Sequence, residues 1–282
     1  MSDQGILYVI ATPIGNLADI TLRALDTIKE VEILLAEDTR VTKKLLEHYG
    51  IQANLESLHD FNEVQKIPTL IKILSSGASI GLVSDAGTPL ICDPGYKFVS
   101  AARKKGIEIR SIPGPSAVMA ALSTAGIPTD RFVFEGFLPK KAAERRRRLL
   151  EIQYESRSII FYESPQRIQA CARACMDVFG AAREAVLMRE LTKHFEQHIE
   201  GTLGHINQEL ESHPNSIKGE FVVLIHGSNT GEDAKSAMNA KRLLEDLQKH
   251  ISHKAAVEIV TKHTGIRRNQ IYSMGMEKQT KK

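Results

Sequence analysis

The sequence predicts an α/β fold of two α/β domains followed by a small C-terminal helical region, and three observations support this prediction. Over residues 1–125, short apolar runs alternate with amphipathic stretches, which is typical of a mainly parallel sheet. Glycine and proline are concentrated at 126–139, which indicates an interdomain linker. A second α/β series occupies 140–227, and 234–282 carries helical patterns only. With 282 residues, 42% of them hydrophobic, the chain can bury two cores.

The spacing of apolar residues predicts the individual elements. In the first unit, strands are expected at 6–11, 33–36, 80–83 and 107–112, and helices at 39–48 and 96–105. Asp19 is expected to cap a further helix that begins near Leu22. In the second unit, strands are expected at 158–162, 185–189 and 221–225, and helices near 165–179 and 204–212. After a polar linker at 227–233, helices are expected at 235–250, 253–263 and 267–274.

Three strand ends carry turns rich in glycine, proline and small polar residues, at 12–16, 84–89 and 113–116. Open α/β sheets bind ligands at the carboxyl ends of their strands, where glycine lets the backbone approach a ligand closely. Tight connections need the same residues for steric reasons, so a single turn would indicate little. No G-x-G-x-x-G or G-x-x-x-x-G-K-[ST] motif follows a strand, which disfavours a dinucleotide or nucleoside triphosphate site.

The three cysteines favour a reducing compartment, and we expect a cytoplasmic protein. Cys171 and Cys175 would share one helix face, but no Cys-x-x-Cys motif or histidine at ligand spacing accompanies them, so we expect buried thiols and no metal. No apolar stretch approaches the roughly 18 residues that span a bilayer, and no secretion signal opens the sequence. A membrane partner is therefore not expected.

The net charge of +3 is divided unevenly along the chain. Residues 234–282 contain 11 Lys or Arg against 4 Asp or Glu, so the remainder of the chain is net negative. A second basic block, at 140–148, has six basic residues in nine positions. Both regions are expected to contact RNA phosphates, and the alternative for the block at 140–148 is the exposed face of a helix. The candidate RNA contacts are Lys140, Lys141, Arg145, Arg146, Arg147, Arg148, Arg267 and Arg268.

Eight short motifs lie in order along residues 6–226. They are ATPIGNL at 11–17, EDTR at 37–40, SDAGTP at 84–89 with DPG at 93–95, PGPSA at 113–117, FEGFLPK at 134–140, YESP at 162–165, RELTK at 189–193 and GEF at 219–221. In this order they resemble the bacterial small-subunit rRNA (cytidine-2'-O)-methyltransferases, which are of tetrapyrrole-methylase type. The basic tail resembles the C-terminal helical region of that family. Cys92 stands where the family often has Ser, and Phe61 where another His is common.

The resemblance implies two α/β domains with S-adenosyl-L-methionine in the cleft between them. It also implies 2'-O-methylation of a cytidine in 16S rRNA, a small ribosomal subunit or its rRNA as partner, and a homodimer. Carried over to this sequence, the cofactor contacts are Pro13, Ile14, Gly15, Ser84, Asp85, Ala86, Gly87, Thr88, Ser116, Ala117, Phe137 and Leu138.

Charged residues in these motifs are candidates for catalysis at the RNA side of the cleft. They are Asp38, Arg40, Glu163 and Lys193, among which a carboxylate or a neutralised lysine could accept a proton and an arginine could hold a phosphate. Each could instead be an ion-paired surface residue. Orientation of the reactants can supply roughly 7–11 kcal/mol, against roughly 3–5 kcal/mol from a general base. A rigid cleft is therefore expected to matter more than any one base.

Two other functions remain open from sequence. A methyltransferase of small tetrapyrroles or of a protein side chain could use the same cleft but would not need the basic regions. A non-catalytic RNA-binding module would need only the basic regions and would not bind the cofactor.

Overall fold

Five parallel strands form the first sheet of the computed structural model, which describes residues 4–214, 217–228 and 231–276. The strands are β1 (Ile6–Ile10), β2 (Ile33–Ala36), β3 (Leu55–Ser57), β4 (Ile80–Leu82) and β5 (Glu108–Ile112), in the spatial order β3-β2-β4-β1-β5. The helices of this domain are α1 (Leu22–Glu30), α2 (Thr39–His48), α3 (Glu63–Ser75), α4 (Tyr96–Lys104) and α5 (Ala117–Thr124). Every strand pairing in this sheet is parallel, which confirms the sequence prediction.

The central strands β2 and β4 of the first sheet are fully buried, which is why they read as continuous apolar runs. Successive side chains alternate between the faces, so Leu34 packs with α1 and α2 whereas Leu35 packs with α3 and α4. Buried Glu63 accepts a hydrogen bond from the backbone N–H of Phe98 at 2.9 Å and thereby satisfies a donor at the N-terminus of α4.

A second five-stranded sheet follows, with mostly antiparallel pairing. Its strands are β6 (Phe132–Phe137), β7 (Ser158–Glu163), β8 (Glu184–Arg189), β9 (Gln197–Thr202) and β10 (Phe221–Ile225), in the order β6-β7-β10-β8-β9. Only β6 and β7 pair in parallel. Helices α6 (Ala142–Glu151), α7 (Ile168–Phe179) and α8 (Leu203–Ser212) cover one face of this sheet.

The other face of the second sheet is covered by α5 from the first domain. Val118 and Leu122 of this helix belong to one buried cluster with Ile160 of β7 and Val222 of β10. The neighbouring residue Phe161 points to the opposite face, into the core formed with α6, α7 and α8. Successive β7 side chains point to opposite faces, so this strand contributes both to the core of the second domain and to the contact with α5 that joins the domains.

Elements that are polar or interrupted in sequence differ from the prediction. β6 lies inside the expected linker, 126–139, because Gly136 (φ 63°) and a register shift break its apolar pattern. β9 is an edge strand composed largely of polar residues, and α3 contains Pro68. These features remove the periodicity on which sequence prediction depends.

The cap of α1 also differs from the expectation. The Thr21 hydroxyl accepts the hydrogen bond from the N–H of Ala24 at 3.1 Å. Asp19 lies instead in a short 3-10 turn, which the Asn16 side chain caps. The prediction of Asp19 as the N-cap is wrong because a hydroxyl closer to the helix takes that position.

Three helices, α9 (Gly231–Leu247), α10 (His253–Thr264) and α11 (Arg268–Met276), form a separate small core at the C-terminal end of the described chain. Its buried residues are Ala240, Leu244, Ala256, Val257, Val260 and Ile271. The helices agree with the expected ones to within a few residues, although α9 begins inside the expected polar linker at 227–233. Over the residues that the structure describes, no helix is both long and apolar enough to cross a bilayer.

Replacement of Phe161 by alanine should destabilise the protein because its ring is fully buried in the second core, at 0% exposure. We expect the free energy of unfolding to fall by about 3–5 kcal/mol. Phe61→Ala is the matched control, since that ring is 98% exposed, and its effect should stay within about 0.5 kcal/mol. Urea titration followed by circular dichroism measures both variants, and equal effects would contradict the described packing.

Candidate active site between the two domains

The three glycine- and proline-rich turns of the first domain lie side by side and are joined by hydrogen bonds. The N–H groups of Thr12 and Gly87 each donate to the other's carbonyl, at 2.9 and 3.0 Å. The Thr12 hydroxyl donates to the Ser84 carbonyl at 3.1 Å, and the Thr88 hydroxyl donates to the Pro115 carbonyl, also at 3.1 Å. The adjacent positions of β4, β1 and β5 bring their carboxyl ends to one edge, where these bonds fix the turns.

A cavity of about 470 Å³ lies between these turns and the second sheet. It is lined by eight of the residues carried over as cofactor contacts: Ile14, Asp85, Ala86, Gly87, Thr88, Ser116, Ala117 and Phe137. Residues not named as cofactor contacts also line it: Ile91, Cys92, Asp93, Tyr162, Glu163, Ser164, Pro165, Leu191, Glu220, Phe221 and Val222. Its size falls within the roughly 300–1,000 Å³ of small-molecule sites.

The other four carried-over residues do not line the cavity. Leu138 is 2% exposed in the core of the second domain, because it follows Phe137 and points to the opposite side of the chain. Ser84 is buried, and its hydroxyl donates to a carbonyl of its own turn at 3.4 Å. Pro13 is also buried, and Gly15 lies against a lysine side chain of the second domain. Sequence motifs thus located the turns but could not tell which residues face inward.

Two loops at the cavity contain non-glycine residues in the left-handed region of backbone space. They are Leu90 (φ 73°) and Cys92 (φ 71°) in one loop, and Glu190 (φ 52°) and Thr192 (φ 65°) in the other. Such residues are uncommon and cluster at ligand sites. Gly136 makes room for the first loop, since a Cβ atom at that position would lie 2.9 Å from the Cys92 Sγ.

Burial controls the protonation of several groups at the cavity. Burial raises the pKa of Asp93 to about 6, a hydrogen bond with Ser84 lowers it, and the charge of Asp85 adds to the rise. Burial, then the charges of Asp85 and Asp93, also raise the pKa of Glu37. Burial raises the pKa of Tyr162 to about 12, so its phenol stays protonated. Asp93 is thus a carboxyl group at the cavity wall whose pKa lies close to neutral pH.

Asp38 and Arg40 form an ion pair at the start of α2. The Arg40 Nη2 donates to the Asp38 Oδ2 at 2.6 Å, and the backbone N–H of Arg40 donates to Oδ1 at 2.9 Å. These hydrogen bonds from Arg40 hold the pKa of Asp38 at about 2. Asp38 is therefore a weak proton acceptor that caps α2 and orients the guanidinium.

Lys193 lies where the two domains meet. Its Nζ is 2.9 Å from the Glu190 Oε1 and 3.0 Å from the Glu220 Oε2, and its aliphatic stem lies against Gly15 of the first domain. Burial alone would lower the pKa of Lys193, but the hydrogen bonds with both glutamates raise it overall. The raised pKa favours the charged form of Lys193, which disfavours its use as a neutral proton acceptor.

Glu163 is fully buried at the end of β7 and pairs with Arg167 at 2.7 Å. The Arg167 Nη2 also donates to the Leu138 carbonyl at 2.7 Å. This buried pair therefore fixes the segment after β6 against the cavity wall.

The basic residues expected to contact RNA differ in their surroundings. Lys140, Lys141, Arg146, Arg147, Arg267 and Arg268 are exposed. Arg148 is held by Glu135 at 2.7 Å and by Glu151 at 2.8 Å. Arg145 is 7% exposed, because it shares with Leu149 the face of α6 that packs inward. Arg145 and Arg148 are therefore less available for an RNA contact than the six exposed residues, for which that role stays a prediction.

Cys171 and Cys175 are buried on α7 in the core of the second domain, as expected for free thiols. In the described part of the chain, no group of three or more His, Cys, Asp or Glu is arranged to hold a metal ion.

The fold and the interdomain cavity define a class of methyltransferase. The family model described as Tetrapyrrole (Corrin/Porphyrin) Methylases matches residues 6–207. Among solved structures, the methyltransferase CobJ is similar with a TM-score of 0.58 at 18% identity, covering 79% of this chain and 94% of that one. The uroporphyrin-III C-methyl transferase of Thermus thermophilus complexed with S-adenyl homocysteine has a TM-score of 0.53 at 15% identity, covering 78% and 97%.

Relatives of higher identity narrow the assignment. "Ribosomal RNA small subunit methyltransferase I" of Vibrio cholerae is 47% identical over 273 residues, which are 96% of this chain and 94% of that protein. The protein of the same name from Escherichia coli O157:H7 is 45% identical over 278 residues, 99% and 97% of the two chains. The model described as RsmI C-terminal HTH domain matches residues 233–279. The chain therefore belongs to the tetrapyrrole methylase family and, within it, to the ribosomal RNA small subunit methyltransferase I family.

Asp93→Asn should change how stability depends on pH. The native pKa of about 6 lies above the ordinary value of 3.8, so the protonated carboxyl favours the folded state, and this stabilisation is lost as pH rises through about 6. The variant should therefore gain stability relative to the unmodified protein between pH 4 and pH 6, with a constant difference above about pH 7.

Denaturation midpoints measured across pH for both proteins test this expectation. Ser84→Ala removes the hydrogen bond that lowers the pKa of Asp93. In that background, the pH range over which Asp93→Asn changes the relative stability should therefore move to higher pH. If the difference in stability between the unmodified protein and the Asp93→Asn variant did not change with pH, the raised pKa of Asp93 would be contradicted.

Proposed function

We propose that this chain transfers the methyl group of S-adenosyl-L-methionine to the 2'-oxygen of a cytidine ribose in small-subunit (16S) ribosomal RNA. The observation that carries the proposal is the interdomain cavity, which is walled by the motif turns. The support from relatives extends over nearly the whole molecule, since the chain covers 94% and 97% of the two rRNA methyltransferases compared.

The cavity wall suits this cofactor. Exposed Ala86 leaves its backbone N–H and C=O accessible at the wall, and Ile14 and Val222 supply apolar surface. Asp85 adds negative charge, which favours a sulfonium cation. When bound, the cofactor supplies a methyl group on a positively charged sulfur. The S-adenyl homocysteine complex of the Thermus thermophilus structure supports the same choice of ligand.

The main contribution of the chain is orientation. The hydrogen bonds among the three turns and the buried Glu163–Arg167 pair hold both cavity walls rigidly. A preorganised cleft of this kind can supply roughly 7–11 kcal/mol by alignment of the reactants.

Asp93 is the carboxylate best suited to accept the proton of the ribose hydroxyl. It lines the cavity, and with a pKa of about 6 it is ionised at neutral pH yet more basic than Asp38, whose pKa is about 2. Arg40 and Lys193 remain charged and are suited to bind RNA phosphates. Asp38 and Glu163 then orient their arginine partners rather than accept the proton.

The basic surfaces favour an RNA substrate over a tetrapyrrole or a protein side chain. Exposed cations occur both on α6 beside the cavity and on the C-terminal helices, at Arg267 and Arg268. A small-molecule methyltransferase would gain nothing from them. We extend the proposal to a cytoplasmic homodimer, as the family resemblance implies.

Incubation with labelled cofactor tests the function. Small subunits from a strain that lacks this methyltransferase should accept one methyl group on a ribose, whereas subunits from a strain that expresses it should already be methylated and accept none. Ribose label mapped to a cytidine of 16S rRNA is the expected result. Label on a tetrapyrrole with none on the RNA would overturn the proposal in favour of its main rival.

Ala86→Phe should block the cavity, because Ala86 is exposed there and a benzyl group would fill the space of the ligand. We expect cofactor affinity in calorimetry to fall at least about tenfold, or roughly 1.4 kcal/mol. Ala182→Phe is the control, since that exposed alanine is not among the cavity-lining residues. Unchanged affinity in Ala86→Phe would exclude this cavity as the cofactor site.

Lys193→Ala and Asp38→Ala should lower the methylation rate while leaving cofactor affinity nearly intact, since both residues are proposed to act at the RNA side. Loss of a charged hydrogen bond of this kind typically costs about 1.5–3 kcal/mol, or roughly 10- to 10²-fold in rate. Single-turnover kinetics and calorimetry measure the two effects separately. If both variants lost cofactor binding to the same extent as turnover, their proposed role would have to be abandoned.

A further inference from the structure

The N-terminus of α6 closely follows a cavity-lining residue in sequence and carries no side-chain cap. Phe137 lines the cavity, and the chain then reaches the N-cap residue Lys141, which has extended backbone (φ −74°, ψ 132°) and makes no capping hydrogen bond. The N–H groups of the first helical turn, residues 142–144, have no partner within the helix. Such a terminus attracts anions through these donors and the helix dipole.

A buried arginine lies beside the same terminus. Arg145 is 7% exposed, and its Nη1 reaches back to the Lys140 carbonyl at 3.4 Å, immediately before the N-cap. Its Nε has no hydrogen-bond partner, and within the described residues no carboxylate lies within ion-pair distance of it. A buried guanidinium without a counter-ion is costly. This second observation, independent of the helix terminus, indicates an anion at the same place.

The remaining charges of this turn agree with an anion site. Glu144, the acidic residue of the first turn, is paired with the Lys141 Nζ at 3.2 Å. Lys140 is exposed next to the terminus. The hydrogen bond from Arg167 to the Leu138 carbonyl holds the segment that leads to α6 against the cavity wall.

We propose that the N-terminus of α6 binds one backbone phosphate of the RNA substrate. The N–H groups of residues 142–144 donate hydrogen bonds to it, and Arg145 supplies positive charge from behind the terminus. The source of the phosphate rests on the proposed function. Because the segment between this site and Phe137 is fixed, the bound phosphate positions a neighbouring nucleotide over the cavity.

Lys141→Asp tests the site without weakening the helix. An aspartate at the N-cap accepts the free N–H groups and favours the helix, so the thermal midpoint should not fall. It should nevertheless exclude the phosphate and weaken affinity for an rRNA fragment at least about tenfold, as for loss of a charged hydrogen bond. Lys104→Asp is the control, since it makes the same change of charge on an exposed residue at the end of α4 that is not among the candidate RNA contacts.

Ala142→Pro tests the backbone donors at constant charge. Proline is well accepted at the first helical position, and the extended Lys141 fits the residue before it. One donor is lost, so RNA affinity should fall about threefold or more, within the range of a single hydrogen bond. Leu22→Pro, at the first position of α1, is the matched control and should bind RNA normally.

Filter binding to a small-subunit rRNA fragment and calorimetry with the cofactor separate the possible failures. If the unmodified protein labels small subunits while Lys141→Asp and Ala142→Pro match their controls, the phosphate site is overturned and the proposed function stands. If the unmodified protein neither binds nor labels the RNA, the proposed function fails. That result would also exclude RNA as the source of the phosphate. Selective loss in both variants, with cofactor affinity unchanged, supports the site.

Discussion

The packing of α5 against the inner face of the second sheet is the constraint on which the rest of the structure depends. Val118 and Leu122 are buried against Ile160 and Val222, so the contact between domains is as dry as a domain core. The same helix starts at Ala117, which lines the cavity. One apolar contact thus sets both the spacing of the domains and the shape of the cleft between them.

Ion pairs around the cleft hold charged groups in place and keep most of them charged. Arg40, Arg167 and Lys193 each bind a carboxylate. Asp93 differs from these paired carboxylates, because burial moves its pKa towards neutral pH while it remains in the cavity wall. Under the proposed function, the site separates two tasks: fixed cations bind the RNA polyanion, and Asp93 accepts a proton. Such fixed polar groups do not have to reorganise during the reaction.

Buried apolar strands were predicted in both domains, such as β2 in the first and β10 in the second, whereas the polar or interrupted strands β3, β6 and β9 were missed. The apolar runs of β1 and β2 predict strands directly, whereas β6 is interrupted by Gly136 and β9 is a polar edge strand. The site followed the same rule. The turn at 84–89 was recognisable from composition, but the orientation of Leu138 away from the cavity depends on strand register.

Charge was the hardest property to predict, since it depends on partners distant in sequence. Arg145 and Arg146 are neighbours in the basic block, yet one is buried and the other exposed, and only the spacing of Arg145 to Leu149 on α6 separates them. The ion pair between Lys193 and Glu220 likewise joins residues far apart in the chain. Family motifs located both regions, but only tertiary structure decides which of their members are solvated, paired or buried.

The dependence on α5 has a consequence for biosynthesis. The chain makes α5 before any strand of the sheet that it covers, and β10, which supplies Val222, is the last strand to leave the ribosome. Until β10 is made, the nascent chain exposes the apolar face of α5 and the apolar face of the incomplete second sheet. The two domains therefore do not fold independently. A chain that stalls before β10 exposes hydrophobic surface of the kind that chaperones bind.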